Sequence, residues 1–302
     1  MPRFGSVVTA MITPFDAAGA IDLEGAAVVA RHLAGSGSDG IVVAGSTGEG
    51  PVLTDEERIA LFRAVIAAVD VPVIASTGTN DTAHSVMLTK EAKACGADGV
   101  LAVTPYYNRP SAAGLSAHFR AIAACTDLPV MLYDIPIRSG RRIGPHLTIE
   151  LARDVPNIVA VKDATGDPAG AALVVAESPD GFEVYCGDDS LALPYASVGA
   201  VGVVSVAAHW AGPLFGEMID GHRSGQVDRA TTINQQLAES YRFQSTDEFP
   251  NPLPAKAACR ALGLPAGQCR LPNTRAPEAL DDQARSVISR LNRLNPAPQS
   301  VA

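Results

Sequence analysis

Short runs of apolar, often β-branched residues recur along the chain, each followed by a longer alanine-rich stretch in which apolar positions return at helical spacing. The runs occupy residues 7–10, 40–44, 71–75, 99–103, 129–133, 158–161, 182–186 and 201–205. None alternates strictly between apolar and polar. That is the pattern of parallel strands covered on both faces, with the intervening helices as crossovers. Local signals support the helices. Thr54 followed by Glu57 predicts a capping box opening a helix over residues 54–69, Asn80 is a candidate cap for the next helix, Ser111 for another, and Pro168 suits a first helical turn.

Eight strand–helix units ending near residue 222 predict an α/β chain folded as a closed (β/α)8 TIM barrel. A doubly wound open sheet is the rival, but the first strand leads to Thr13-Pro14-Phe15 and not to a glycine-rich phosphate loop. Beyond this point the rhythm changes. Helical patterns over residues 226–243, 253–262 and 277–294 follow without further β-branched runs, which predicts a barrel domain over 1–222 and a helical C-terminal extension over 223–302.

A formal net charge of −9 over 302 residues, with no basic stripe, argues against nucleic acid as a partner. No stretch has the length and hydropathy of a membrane span and no secretory leader is evident, so a cytoplasmic protein is expected. The five cysteines form no CxxC pair, and neither they nor the histidines show metal-ligand spacing; buried reduced thiols are expected, with no catalytic metal or prosthetic group.

Active sites of such barrels lie at the C-terminal ends of the strands, and there the chain places unusual residues. Only four lysines occur, and one, Lys162, ends the apolar run of the sixth strand. An ammonium at the mouth of a buried strand is driven toward the neutral amine, which attacks carbonyl carbon; the bland alternative is a lysine that snorkels outward or pairs with Asp163. Gly45-Ser46-Thr47-Gly48-Glu49, after the second strand, offers N–H groups and hydroxyls for a carboxylate, although serine and threonine beside glycine are also ordinary loop residues. Tyr106 and Tyr107 follow the fourth strand between prolines; packing at an interface is preferred for Tyr106, whereas interface and catalysis are both open for Tyr107. Tyr133 ends the fifth strand, where a phenol can move protons, and Arg138 offers a fork for a carboxylate or is simply a solvated loop residue. A lysine, a tyrosine and a carboxylate-binding loop at one barrel face make a Schiff-base site for a 2-keto acid.

The stretches GSTGE at 45–49, TPYYNRP at 104–110, YDIPxRSG at 133–140, KDATGD at 162–167 and YCGDD at 185–189 are also those by which the chain resembles the pyruvate-dependent class I aldolases of the dihydrodipicolinate synthase and N-acetylneuraminate lyase family. The resemblance implies that Lys162 forms an imine with pyruvate, that Tyr133 mediates proton transfer, and that Thr47 relays protons between Tyr133 and a Tyr107 supplied by the neighbouring subunit. It also implies that Ser46 and Thr47 hold the pyruvate carboxylate, that Arg138 receives the carboxylate of L-aspartate 4-semialdehyde, and that backbone carbonyls near Gly187 and Val204 line the site. The implied product is 4-hydroxy-tetrahydrodipicolinate, on the route to diaminopimelate and lysine, and the implied assembly a homodimer or a pair of dimers. A different 2-keto-acid aldolase or dehydratase of the family, acting on sugar acids or related substrates, is the alternative.

Three departures from the family pattern stand out. Ser46 replaces a usual threonine, and Asp134 replaces a frequent asparagine and sets a negative charge beside the tyrosine. At the places matching the feedback cleft of lysine-inhibited members stand Gly50, Pro51, Asp55, Arg58, Asn80, His84 and Tyr106. His84 takes the position of a glutamate that would meet the lysine ammonium, so weak or absent inhibition by lysine is expected.

Overall fold

A computed structural model of the protein describes residues 1–295. Eight parallel strands close into a barrel in sequence order: β1 (Val7–Ala10), β2 (Gly40–Val43), β3 (Val73–Ser76), β4 (Gly99–Val103), β5 (Val130–Asp134), β6 (Ile158–Asp163), β7 (Glu183–Cys186) and β8 (Gly202–Ser205). The helices are α1 (Leu23–Gly35), α2 (Asp55–Ile66), α3 (Thr82–Cys95), α4 (Ala112–Ala124), the single turn α5 (Pro136–Ser139), α6 (Pro145–Asp154), α7 (Pro168–Glu177), α8 (Ala192–Ser197), α9 (Ala208–Arg223), α10 (Val227–Gln236), α11 (Ala238–Phe243), α12 (Leu253–Ala261) and α13 (Glu278–Leu294). The closed (β/α)8 barrel and its C-terminal helices are those expected from the patterning.

The core has two shells. One lies between strands and helices. The other fills the barrel with Phe4, Val8, Val42, Ile74, Leu101, Met131, Ala160, Tyr185 and Val204, among others. Phe4 plugs the floor so tightly that a Cβ on Gly99 would come within 2.8 Å of its ring, and the Tyr185 hydroxyl accepts the Phe4 N–H at 3.3 Å while donating to Glu183 at 2.9 Å. With the bottom sealed, the open end at the strand C-termini is left for chemistry.

Several local expectations shift. The capping box forms between Thr54 and Glu57, but its helix stops at Ile66 with Ala67 as C-cap, and the remaining residues before Val73 form the turn into β3. Asp81, not Asn80, caps α3: its carboxylate accepts the Ala83 N–H at 2.8 Å, while the Asn80 carbonyl receives the Asn108 amide at 2.7 Å. Ser111 and Pro168 act as anticipated. The helical stretch after residue 226 divides at the fully buried Leu237, which turns α11 so that Ser240 meets the Trp210 indole N–H at 3.0 Å and Phe243 meets its ring edge-on. Strands β5 and β6 each run further than the apolar pattern, to Asp134 and Asp163, so Lys162 as well as Tyr133 belongs to the sheet itself and inherits its rigidity.

Candidate active site

Tyr133 and Lys162 are register partners on adjacent strands, so both side chains point into the barrel at one level. The Lys162 Nζ lies 4.3 Å from the centroid of the Tyr133 ring, and each residue is only 5% exposed. The adjacent carboxylate is engaged elsewhere: Asp163 Oδ1 accepts the Thr165 N–H at 2.9 Å and the Tyr195 hydroxyl at 3.1 Å. This leaves the amine facing an aromatic ring and not an acid. Gly187 completes the pocket around the lysine stem. Its N–H donates to the Asp163 carbonyl at 2.7 Å, and a Cβ there would fall 3.1 Å from both Cγ and Cε of Lys162. Val204, 1% exposed, belongs to the barrel interior on β8.

The loop after β2 is pinned from three directions. Its tight path includes left-handed backbone at Ala44 and Glu49, and a Cβ at Gly50 would lie 2.2 Å from the Ala44 carbonyl oxygen, so only glycine fits. The Glu49 carboxylate forms a buried ion pair with Lys256 of α12 at 2.6 Å and accepts the Arg270 N–H at 2.8 Å. Burial lowers the proton affinity of Lys256 while Glu49 raises it, and burial, with a smaller push from the same carboxylate, moves the Cys269 thiol up to about 12. Thr47, 3% exposed, accepts the Asn251 side-chain amide at 3.0 Å, and the Asn251 carbonyl in turn accepts Arg138 at 3.4 Å. Ser46 is half-buried at the loop's outer edge.

A cavity of about 390 Å³ is lined by Ser46, Tyr133, Arg138, Asn251, Arg58 and Tyr106, among others, while Lys162, Thr47, Gly187 and Val204 are not among its lining residues. Lys162 lies just past the Tyr133 ring that forms part of its wall. Tyr107 is elsewhere. Its residue is 91% exposed on left-handed backbone, held by an N–H bond to the Ser139 carbonyl at 3.3 Å, and its phenol stays outside its own chain's cavity. The Asp134 carboxylate points away from the barrel interior, accepting the N–H groups of Ile143 and Gly144 at 3.0 and 3.1 Å, and burial pushes it up to about 6. It therefore anchors the segment following Arg138 instead of facing the phenol. Asp189, buried and likewise pushed up to about 6, fixes the backbone after β8 through the N–H groups of Val206 and Ala207.

The model of the family described as the dihydrodipicolinate synthetase family matches residues 3–291. The chain belongs to that family. It is 46% identical over 294 residues to the 4-hydroxy-tetrahydrodipicolinate synthase of Bacillus subtilis, covering 97% of this chain and 100% of that one. A solved dihydrodipicolinate synthase from Bacillus anthracis superposes with a TM-score of 0.91 at 42% identity, covering 99% and 100% of the two chains. A synthase from Cyanidioschyzon merolae, solved with lysine bound, gives 0.93 at 42% identity, covering 97% and 99%. Membership in the dihydrodipicolinate synthetase family brings with it the family's general type of enzyme activity.

Within this family member, sequence reasoning missed the parts of the site that come from the C-terminal helices. Asn251, in the turn before α12, and Lys256 within it are not marked by any of the stretches at the strand ends. Lys256 did carry a signal, since it interrupts the apolar helix Leu253–Ala261, but the same signal marks Lys162, and only the position of an acid separates them.

Proposed function

We propose that the protein is a 4-hydroxy-tetrahydrodipicolinate synthase that condenses pyruvate with L-aspartate 4-semialdehyde. The observation that carries this reading is the Lys162 amine, enclosed beside the Tyr133 ring without an acid partner among the described residues, that same ring lining a cavity with Arg138. The amine adds to the keto carbon and water leaves, giving the protonated imine; loss of a methyl proton converts it to the enamine. The enamine carbon attacks the aldehyde of the second substrate, whose own amino group then closes the ring on the former keto carbon and releases the lysine. Tyr133 is the group placed to exchange protons with the carbinolamine and the new hydroxyl. Ser46 and Thr47, with the N–H groups of their loop, hold the keto-acid carboxylate; backbone carbonyls near Gly187 and Val204 complete the surroundings of the imine.

Arg138 is the residue that selects the second substrate, because a guanidinium fork matches a carboxylate that simple aldehydes lack. Thr47 passes protons from Tyr133 to a Tyr107 of a neighbouring copy, which makes a dimer the smallest complete unit and a tetramer of two dimers a natural assembly. The outward phenol of Tyr107 is consistent with such a donation.

Borohydride reduction in the presence of pyruvate should leave a covalent adduct on the peptide containing Lys162, and a panel of aldehydes should show turnover fastest with the semialdehyde by a wide margin. Arg138→Ala should leave the pyruvate adduct intact while slowing semialdehyde turnover by roughly 100-fold or more, as loss of a charge-assisted pair predicts. No adduct would end the imine mechanism. An adduct with faster turnover of neutral or sugar-derived aldehydes would transfer the protein to another branch of the family.

A further inference from the structure

Three hydrogen bonds converge on Asp163, the residue that follows Lys162 and ends β6. Its carbonyl accepts the Gly187 N–H at 2.7 Å, and its Oδ1 accepts the Thr165 N–H at 2.9 Å and the Tyr195 hydroxyl at 3.1 Å. Two of these donors are backbone groups of adjacent turns. The third is a fully buried side chain from α8, the helix after β7. The same phenol oxygen accepts the Asp167 N–H at 3.1 Å, so Tyr195 joins both ends of the turn from residue 163 to residue 167. The far end is anchored: Asp167 caps α7 through the Gly170 N–H at 2.9 Å and pairs with Arg142 at 2.8 Å. The phenol passes that anchorage to the neighbour of Lys162. A phenylalanine would fill the same space; the hydroxyl adds two hydrogen bonds, one of them to a buried carboxylate, which is the stronger kind.

We infer that Tyr195 is a positioning residue for the imine-forming lysine, acting from outside the barrel through Asp163 to fix the end of β6 and hold the amine against the Tyr133 ring. Successive residues of a strand point to opposite faces, so a bond that keeps the Asp163 side chain on the outer face keeps the Lys162 side chain on the inner one. The carboxylate next to the amine in the chain is thereby tied down on that outer face and does not turn toward an ammonium. Gly187 packs against the lysine stem and Tyr195 locks the turn that follows it, and both come from the segment after β7. One strand–helix unit thus holds the reactive side chain of the unit before it.

This role rests on the imine reading of Lys162, which the wild-type protein tests by itself. Borohydride trapping is followed as a rate over a range of pyruvate concentrations, giving a limiting rate of capture and a half-saturating concentration. Tyr195→Phe should lower the limiting rate about ten-fold, the scale of a displacement of about half an ångström, and leave the half-saturating concentration within about two-fold, because the groups assigned to the keto-acid carboxylate lie on the β2 loop. A general loosening of the site would move both. Asp163→Ala should slow capture at least as much, whereas Asp163→Asn, whose amide oxygen still accepts both donors, should be clearly faster than Asp163→Ala. The double variant Tyr195→Phe/Asp163→Ala should be no slower than Asp163→Ala, since both changes remove the same bond. Near-UV circular dichroism checks that each variant is folded. Should Tyr195→Phe fail this check, the substitution is made in Asp163→Asn, where no buried charge is left short of a donor, and the same drop relative to Asp163→Asn is expected. The positioning role is overturned if Tyr195→Phe captures pyruvate within about two-fold of the wild-type rate, a difference of well under one hydrogen bond. It is also overturned if the loss appears in the half-saturating concentration alone, if the effects of the two single variants add in the double, or if Asp163→Asn is as slow as Asp163→Ala. A wild type that gives no adduct would end the imine reading, and the role of Tyr195 with it.

Discussion

Gly187 owes its identity to the lysine beside it. A Cβ would sit 2.8 Å from that of Ala164 and 3.1 Å from two carbons of the Lys162 stem, and of these only the lysine is free to move far. Gly187→Ala should therefore shift the amine and slow its capture of pyruvate by roughly 10–100-fold, while costing about 1–3 kcal/mol of stability as an overpacked site. Borohydride trapping measured as a rate reads the first effect and chemical denaturation the second; an unchanged trapping rate would show that the amine's position is not what the glycine protects. At this scale the sequence was partly transparent. The place of Lys162 and Tyr133 side by side at the strand ends was legible because a scarce lysine and a tyrosine end apolar runs. The meaning of Asp134 was not, because adjacency in the chain suggested a charge beside the phenol, whereas strand alternation turns the carboxylate outward onto Ile143 and Gly144.

The elements show the same division between what local pattern can and cannot carry. Parallel strands buried on both faces announce themselves as apolar runs, so all eight were visible, and errors fell at their ends, where β5 and β6 continue through polar Asp134 and Asp163. Contacts between the β2 loop and the C-terminal helices were invisible, since the Asn251–Thr47 bond joins residues 204 apart. The Glu49–Lys256 pair, with side chains 2% and 1% exposed, is the second tie between these elements. Lys256→Met should strand a buried carboxylate and destabilise the protein by about 3–5 kcal/mol, whereas adding Glu49→Gln should recover most of that loss, because breaking a buried pair is worse than replacing it. Urea denaturation of the single and double variants checks the order. If the double variant is no more stable than the single, the pair is not acting as an isolated unit and the surrounding Arg270–Glu57 contacts share its role.

Over the whole molecule, buried titratable groups pull the pH dependence of stability in opposite directions. Asp134 and Asp189, pushed up to about 6 by burial, favour the folded state when protonated: their contribution is full below the ordinary carboxylate range and is lost as pH rises through about 6. His118 and His209, lowered to about 4 by burial, do the reverse, since they must remain neutral in the fold and their contribution is lost as pH falls toward 4. The two trends offset each other between about pH 4 and 6, so a flat profile would conceal both. Asp134→Asn separates them. The amide oxygen can still accept the Ile143 and Gly144 N–H groups, but the cost of ionising a buried acid disappears. Near pH 4 the variant and wild type should then be similarly stable, and by pH 7 the variant should lead by an amount on the order of 2–3 kcal/mol. The histidine contribution is common to both proteins and cancels in the difference. Urea denaturation across that range measures the divergence, and a gap that stays constant with pH would mean that Asp134 ionises in the fold as readily as in the unfolded chain.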